Sequence, residues 1–237
     1  MKRIIAMMLA LLLLLVLTAC GSNAGEKEES TESEAAAASQ TEAEKKQEEK
    51  LPKTSNVPVT LEALMKEPET AGDQFEFFGT ESLCVDTYNG TKTMVVIPNE
   101  HESLPVTSMD GYLFGGESIV EAIRLNDNIT TIQELAFGEN KNLKIVVLGK
   151  SVQTIEKFAF QGCESLHTLI LNEGLLEIEE MVFFGCSALK EVTIPAAVNC
   201  IDSTAFMKCH ADFTIYGEAG SYAETYAAEN NIPFVVK

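Results

Sequence analysis

The stretch that decides the fold is Val152–Leu171, which reads VQTIEKFAFQGCESLHTLIL. It holds two apolar residues spaced by three, an aromatic pair around an alanine, and a closing L-x-x-L-x-L segment at Leu166–Leu171. A segment of this last kind is typical of one strand in a stack of repeated coils. Asn172-Glu173-Gly174 then supplies a turn before the pattern starts again.

The pattern returns every 23 residues without an insertion, in five units that begin at Val106, Ile129, Val152, Leu175 and Val198. The main columns are Phe114, Phe137, Phe160, Phe183 and Phe206; Met109, Ile132, Ile155, Ile178 and Ile201; and Ile123, Val146, Leu169, Val192 and Ile215. One unit cannot bury its apolar face alone, so the units are predicted to stack, with coils about 4.8 Å apart. Phe160 should then lie fully buried between Phe137 and Phe183.

The full pattern V-x-x-I-x-x-x-A-F-x-G-C-x-x-L-x-x-L-x-L resembles the BspA-type leucine-rich repeats of bacterial surface proteins, over about residues 75–237. The departures are Glu117 and Asn140 in the Cys column, Val182 in the Ala column and Asp212 in the Leu column. The resemblance implies an α+β solenoid of 23-residue leucine-rich repeats with strand-rich coils. Related proteins are associated with adhesion, so the resemblance also implies recognition of a protein or a glycan.

Both ends of the predicted repeat region, 106–217, need caps because an open coil exposes its apolar interior. At the N-terminal side, 57–105, we expect a short helix at Thr60–Lys66 and strands at Phe75–Phe78 and Leu83–Tyr88. Asn89-Gly90 is a hairpin turn signal, which predicts a returning strand at Thr93–Ile97.

The C-terminal cap is predicted in residues 218–237. Ser221-Tyr222-Ala223-Glu224 has the form of a helix capping box, and the tyrosines and alanines after it place one apolar face on the helix. A last strand is expected at Ile232–Val236.

Residues 1–19 have the features of a secretory signal: Lys2 and Arg3 precede a long apolar run, and small residues precede the expected cut. Leu17-Thr18-Ala19-Cys20 resembles a bacterial lipobox. The resemblance implies that Cys20 receives a diacylglyceryl group and becomes the mature N-terminus. Two acyl chains make a stable anchor, so the chain is expected on the outer face of the bacterial plasma membrane, or on the outer membrane. A transmembrane helix is the weaker alternative, because a charge-rich stretch follows at once.

Residues 20–56 are rich in Glu, Lys, Ser and Ala and contain no aromatic residue. Such a composition buries too little apolar surface to offset the cost of ordering, so we predict a disordered acidic tether, or else a charged helix across residues 42–50. The formal net charge of the whole chain is −19, and loss of Lys2 and Arg3 with the signal makes it −21. Nucleic-acid binders carry basic patches, and none is visible.

Catalytic and metal-binding patterns are missing from the sequence: it has no H-E-x-x-H helix, no G-x-S-x-G elbow and no phosphate-binding glycine loop. We therefore predict a protein that is not an enzyme and that uses no cofactor and no metal. Cys163, Cys186 and Cys209 share one repeat column and are expected to be free, buried thiols. A disulfide within the column and a zinc site with His210 are the alternatives.

The strand face is the candidate binding site, because the residues between the leucines of L-x-x-L-x-L point outward. One outward column contains Arg124, Val147, Ile170, Thr193 and Tyr216, and its neighbour contains Ala122, Ile145, Thr168, Glu191 and Thr214. Ile145, Val147, Ile170 and Tyr216 are expected to form an exposed apolar patch that contacts a macromolecular partner. The competing interpretation is that β-branched residues simply favour strands, which suits a structural envelope protein without a dedicated ligand.

Overall fold

The computed structural model describes residues 58–237, so the predicted signal peptide, Cys20 and the whole of the predicted tether lie outside the described residues. Two helices, α1 (Leu61–Lys66) and α2 (Tyr222–Glu229), flank a β-solenoid, and a 3-10 turn lies at Gly72–Gln74. The strands are β1 (Phe75–Phe78), β2 (Leu83–Tyr88), β3 (Met94–Val96), β4 (Glu100–His101), β5 (Leu104–Met109), β6 (Ala122–Arg124), β7 (Thr131–Ile132), β8 (Ile145–Val147), β9 (Thr154–Ile155), β10 (Thr168–Ile170), β11 (Glu177–Ile178), β12 (Glu191–Thr193), β13 (Cys200–Ile201), β14 (Thr214–Gly217) and β15 (Phe234–Val236).

Four successive coils, from β6 to β13, each contribute one strand to each of two walls. On the first wall β3, β6, β8 and β10 form one parallel sheet, and β12, β14 and β15 form another. On the second wall β7, β9, β11 and β13 form a continuous parallel sheet. Every pair within the repeats is in register at a step of 23 residues, as in Ile123 beside Val146 and Val146 beside Leu169. The predicted solenoid of 23-residue units is therefore confirmed.

The third side of each coil is a turn that carries the phenylalanine column into the interior. The five rings lie in a ladder, with centroids separated by 5.7, 4.7, 5.3 and 5.0 Å along the stack. Phe160 is fully buried, and its ring lies nearly parallel to those of its neighbours, at 4° from Phe137 and 11° from Phe183. The predicted burial and stacking of Phe160 are confirmed.

Small residues let the turns approach one another closely. The backbone N–H of Phe160 donates to the carbonyl of Val182 at 3.0 Å, and that of Phe137 donates to Ala159 at 2.8 Å. Gly162 adopts a left-handed φ of +70°, and a Cβ there would lie 2.6 Å from the carboxylate of Glu139 in the coil before. Glycine adopts this backbone conformation at little steric cost, although the equivalent residues Glu139 and Lys208 also have left-handed φ values, of +62° and +59°.

The cysteine column bonds each coil to the one before it. The Cys163 thiol donates to the Phe137 carbonyl at 3.1 Å, and Cys186 donates to Phe160 at 3.2 Å. In the second unit Asn140 takes this role, with its amide Nδ2 donating to the Phe114 carbonyl at 3.0 Å. Asn140 is fully buried, yet its side chain is fully bonded because its Oδ1 also accepts from two backbone amides.

The N-terminal cap differs from the prediction in one respect. β1 and β2 form an antiparallel hairpin at the two predicted strands, and the segment Thr93–Ile97 contains β3. However, β3 pairs in parallel with β6 and not with β2, so the hairpin predicted at Asn89-Gly90 is wrong. The reason is that the apolar residues of β3 extend the first wall of the solenoid by one coil, with a step of 28 residues between Met94 and Ala122.

The C-terminal cap contains the predicted helix and strand. Ala223, Tyr226 and Ala227 of α2 are buried against the last coil, and β15 adds a parallel strand beside β14. Neither hydrogen bond of the predicted capping box forms: the Ser221 side chain makes no cap hydrogen bond, and the Glu224 carboxylate accepts from the amide of Gly220, the residue before the cap, at 2.6 Å.

Candidate recognition surface

The first wall presents the candidate residues, but the structure divides them into a covered half and an open half. Ile145 and Val147 are buried, with 1% and 7% of their surfaces exposed. The predicted exposure of these two side chains is wrong. They do point outward from the coil, but α1 packs over them and closes a second apolar cluster on this side of the sheet.

The cover is formed by a short segment before the solenoid. Leu64 is fully buried on the sheet, and Val59, Leu61 and Ala63 pack beside it. Thr60 caps the helix, since its Oγ1 accepts from the Ala63 amide at 3.1 Å. The predicted helix at Thr60–Lys66 is therefore confirmed in position, and it takes the place that a partner was expected to occupy.

Arg124, another candidate residue, lies at the margin of the covered half. Its Nη2 donates to the backbone carbonyl of Glu67 at 2.9 Å, at the C-terminal end of α1. Its Nε is buried and has no hydrogen-bond acceptor among the described residues. Arg124 is thus already engaged with its own chain through one nitrogen, while another is left unsatisfied.

The open half contains the remaining candidates. Ile170 is 42% exposed, Thr193 is exposed and Tyr216 is partly exposed. Val235 lies beside Tyr216 in the β14–β15 register and is 43% exposed. We call Ile170, Thr193, Tyr216 and Val235 the contact patch. It crosses the junction between the two sheets of the first wall.

A lysine lies at the edge of the contact patch. Lys237 Nζ donates to Thr193 Oγ1 at 2.9 Å and lies 4.8 Å from the centroid of the Tyr216 ring, within the range of a cation–π contact. These two contacts place Lys237 at the edge of the contact patch, while Ile170 and Val235 remain exposed to solvent.

Val235 and Lys237 were not among the predicted site residues. Both follow the last repeat, so the periodicity that identified the other candidates does not reach them. The available signal was the predicted strand over Ile232–Val236, which had to pair with the last repeat strand to cover it. Its alternation then directs Phe234 inward, where it packs against the core, and Val235 outward.

The comparisons with known proteins agree with this architecture. The family model described as "BspA type Leucine rich repeat region" matches residues 95–231 in six copies. The chain belongs to the BspA-type leucine-rich repeat family. Members of this wide group of repeat proteins generally act as non-enzymatic protein-interaction modules. No curated protein matches the sequence significantly.

Solved structures of leucine-rich repeat proteins resemble this BspA-type chain. The T. pallidum leucine-rich repeat protein (TpLRR) is 27% identical, with a TM-score of 0.59 over 63% of this chain and 71% of that one. A leucine-rich repeat protein from Bacteroides ovatus is 22% identical, with a TM-score of 0.51 over 63% of this chain and 47% of that one. The second similarity concerns the fold alone.

Within residues 58–237, this BspA-type protein contains five free cysteines. Burial raises the pKa of the Cys163 thiol to about 12, and that of Cys209 to about 12 as well. Cys186 lies between them, and its pKa is also raised well above its usual value, again mainly by burial. Such thiols stay protonated at neutral pH, which suits hydrogen-bond donors in a core and not nucleophiles.

Two other features of the described part of the chain bear on function. Residues 58–237 contain no cluster of three or more His, Cys, Asp or Glu side chains arranged to hold a metal ion. In the same range no helix is long and apolar enough to cross a bilayer.

Proposed function

We propose that this protein is a cell-surface recognition module, anchored by lipid at Cys20, that binds a protein partner through the contact patch. The family supports interaction with proteins in general. The signal-like residues 1–19 and the lipobox-like segment of the sequence support the location, and adhesion of the cell is the role that the resemblance favours.

The observation that carries this proposal is the open half of the first wall. Ile170 and Val235 each expose more than 40% of their surface, although neighbouring strand positions hold Thr168, Glu191 and Thr214. Exposed apolar side chains gathered on one wall, with a tyrosine among them, are typical of protein-binding sites. The net charge of −19 favours a partner with a basic or neutral surface.

A structural envelope protein without a dedicated ligand is the second candidate function. It is favoured by the outward column formed by Thr168, Glu191 and Thr214, which is polar along its open length. That role needs no contact patch, so substitutions in the patch distinguish the two functions.

The test begins with a pull-down that uses residues 57–237 against host matrix proteins, cell-surface fractions and glycans. For each purified partner, the affinity of the double variant Ile170→Lys with Val235→Lys is then compared with that of the parent. We expect a loss of at least tenfold, or about 1.4 kcal/mol, because both side chains are exposed and their replacement leaves the core unchanged.

The matched control is Leu176→Lys with Met207→Lys, which changes two similarly exposed apolar residues, 38% and 47%, on other sides of the solenoid. Equal affinity of the two double variants would move the binding site away from the contact patch. If the pull-down yields a glycan and no protein, the ligand in this proposal is a glycan. If it yields no ligand, the envelope role is favoured. Val147 is unsuitable for this test because it is buried under α1.

A further inference from the structure

The covered half of the first wall is a second apolar surface, separate from the core of the solenoid. Its side chains point outward from β3, β6 and β8, and each has at most 7% of its surface exposed. We call this surface the helix-docking face; it consists of Met94, Val96, Ala122, Ile145 and Val147. Without α1, all five side chains would face water.

The composition of one outward column of the first wall changes at the edge of the area that α1 covers. In the column that starts with Met94, the covered positions are Met94, Ala122 and Ile145, whereas the open positions that follow are Thr168, Glu191 and Thr214. Strand propensity alone does not require this change, because threonine favours strands as well as isoleucine does. The apolar residues are therefore matched to a helix lying over them.

α1 itself makes few buried contacts with the helix-docking face. It has six residues and only Leu64 is fully buried, while Met65 beside it is 53% exposed. A helix this short is not stable alone in water, so α1 is helical because it is docked. The Glu62–Lys66 ion pair adds little, since both side chains are about three-quarters exposed.

The segment after α1 is held more firmly than α1. The Thr70 amide donates to the Val96 carbonyl at 2.9 Å, and its Oγ1 accepts from the Val96 amide at 3.0 Å. The helix ends at Glu67, where the backbone becomes extended with ψ 130°, and Pro68 prevents its continuation. Glu67 is also held by Lys92, whose Nζ donates to its carboxylate at 2.7 Å. A movement of α1 about residues 67–68 therefore has to break this contact and the Arg124 hydrogen bond, whereas Thr70 can stay bonded to the sheet edge.

We propose that α1 is a displaceable occupant and that the helix-docking face binds an amphipathic helix of a partner protein in its place. The chemistry of the partner follows from the contacts of α1. Its helix presents two aliphatic side chains spaced by three, as Leu61 and Leu64 are, and directs its C-terminal carbonyls at Arg124. The unsatisfied Arg124 Nε offers a further donor to an acceptor on that helix. This site is separate from the contact patch, so the two proposals can fail independently.

The test uses the full chain and a fluorescein-labelled synthetic peptide of residues 58–70 as the probe. In the parent chain α1 competes at the high effective concentration of a tethered segment. Leu64→Asp removes the buried anchor and releases α1, so we expect it to bind the peptide about tenfold more tightly than the parent does. Met65→Asp makes the same charge change on the exposed side and should behave like the parent. A peptide that carries aspartate at position 64 should not bind.

Equal peptide affinity for Leu64→Asp and Met65→Asp would overturn the proposal. Hydrogen exchange supplies the second measurement. In the parent chain the amides of α1 should exchange about 100-fold faster than those of β8, as expected for a segment that opens locally. Equal protection of α1 and β8 would show that α1 does not leave the sheet. If Leu64→Asp also removes protection from β9 and β11 on the second wall, α1 belongs to the folding core and the proposal fails.

Discussion

The phenylalanine ladder permits a quantitative prediction, because Phe160 lies at its centre with no exposed surface. Replacement of a buried phenylalanine by alanine costs about 3–5 kcal/mol in free energy of unfolding. Phe160→Ala also removes two ring contacts, at 4.7 Å to Phe137 and 5.3 Å to Phe183, each worth about 0.5–1.5 kcal/mol beyond its buried area.

The cavity left by this substitution cannot close easily. The coils on both sides are fixed by backbone hydrogen bonds at the ladder itself, from Phe137 to Ala159 and from Phe160 to Val182. Cavities that do not collapse lie at the costly end of the range, so we expect a loss of about 4–5 kcal/mol.

Urea denaturation followed by far-UV circular dichroism measures this loss; tryptophan fluorescence is not suitable, since the chain has no tryptophan. Phe184→Ala is the control, because that ring is partly exposed, with Lys208 Nζ 4.6 Å from its centroid. A loss below about 1 kcal/mol for Phe160→Ala, far under the range for a buried ring, or a loss equal to that of the control, would refute the reasoning.

Three other predictions concern single residues. Cys20→Ser should prevent lipidation, so the protein should be either released from the membrane or left unprocessed. Mass spectrometry of the mature N-terminus measures this, and an unmodified N-terminus at another residue of the parent protein would reject the lipoprotein assignment. Asn140→Ala should cost about 2–4 kcal/mol because it leaves buried backbone groups unbonded, whereas Asn140→Cys should cost less, since cysteine donates to the equivalent carbonyl in later coils; equal urea midpoints would contradict this. At pH 8.5 iodoacetamide should label the exposed Cys200 in the native chain, but Cys163, whose pKa is raised to about 12, only after unfolding; rapid native labelling of Cys163 would show that its coil opens.

The sequence contains enough information for the interior of the solenoid, because periodicity records which residues face inward. Phe160 illustrates this: its column, its burial and its neighbours all follow from a step of 23 residues. Asn140 departs from the cysteine pattern at the same position, yet it makes the equivalent hydrogen bond to the coil before it. The columns of the core could therefore be predicted even where the residue type changes.

The exposure of the candidate site could not be predicted in the same way. Alternation within a strand states that Ile145 and Val147 point away from the coil, but it does not state what lies on that side. The missing information was in α1, where Leu61 and Leu64 needed an apolar surface to cover. Ile170 lies at an equivalent strand position in the next coil and stays exposed because α1 does not extend to it.

The register between the coils has a consequence for the spacing of the two surfaces on the first wall. Since Val146 meets Leu169 through the same contacts by which Ile123 meets Val146, one complete 23-residue period inserted between β8 and β10 would find a matching edge on both sides. The wall would then lengthen by about 4.8 Å, the separation of paired strands. The distance between the helix-docking face and the contact patch could thus grow in equal steps of one coil, with the residues of both surfaces unchanged.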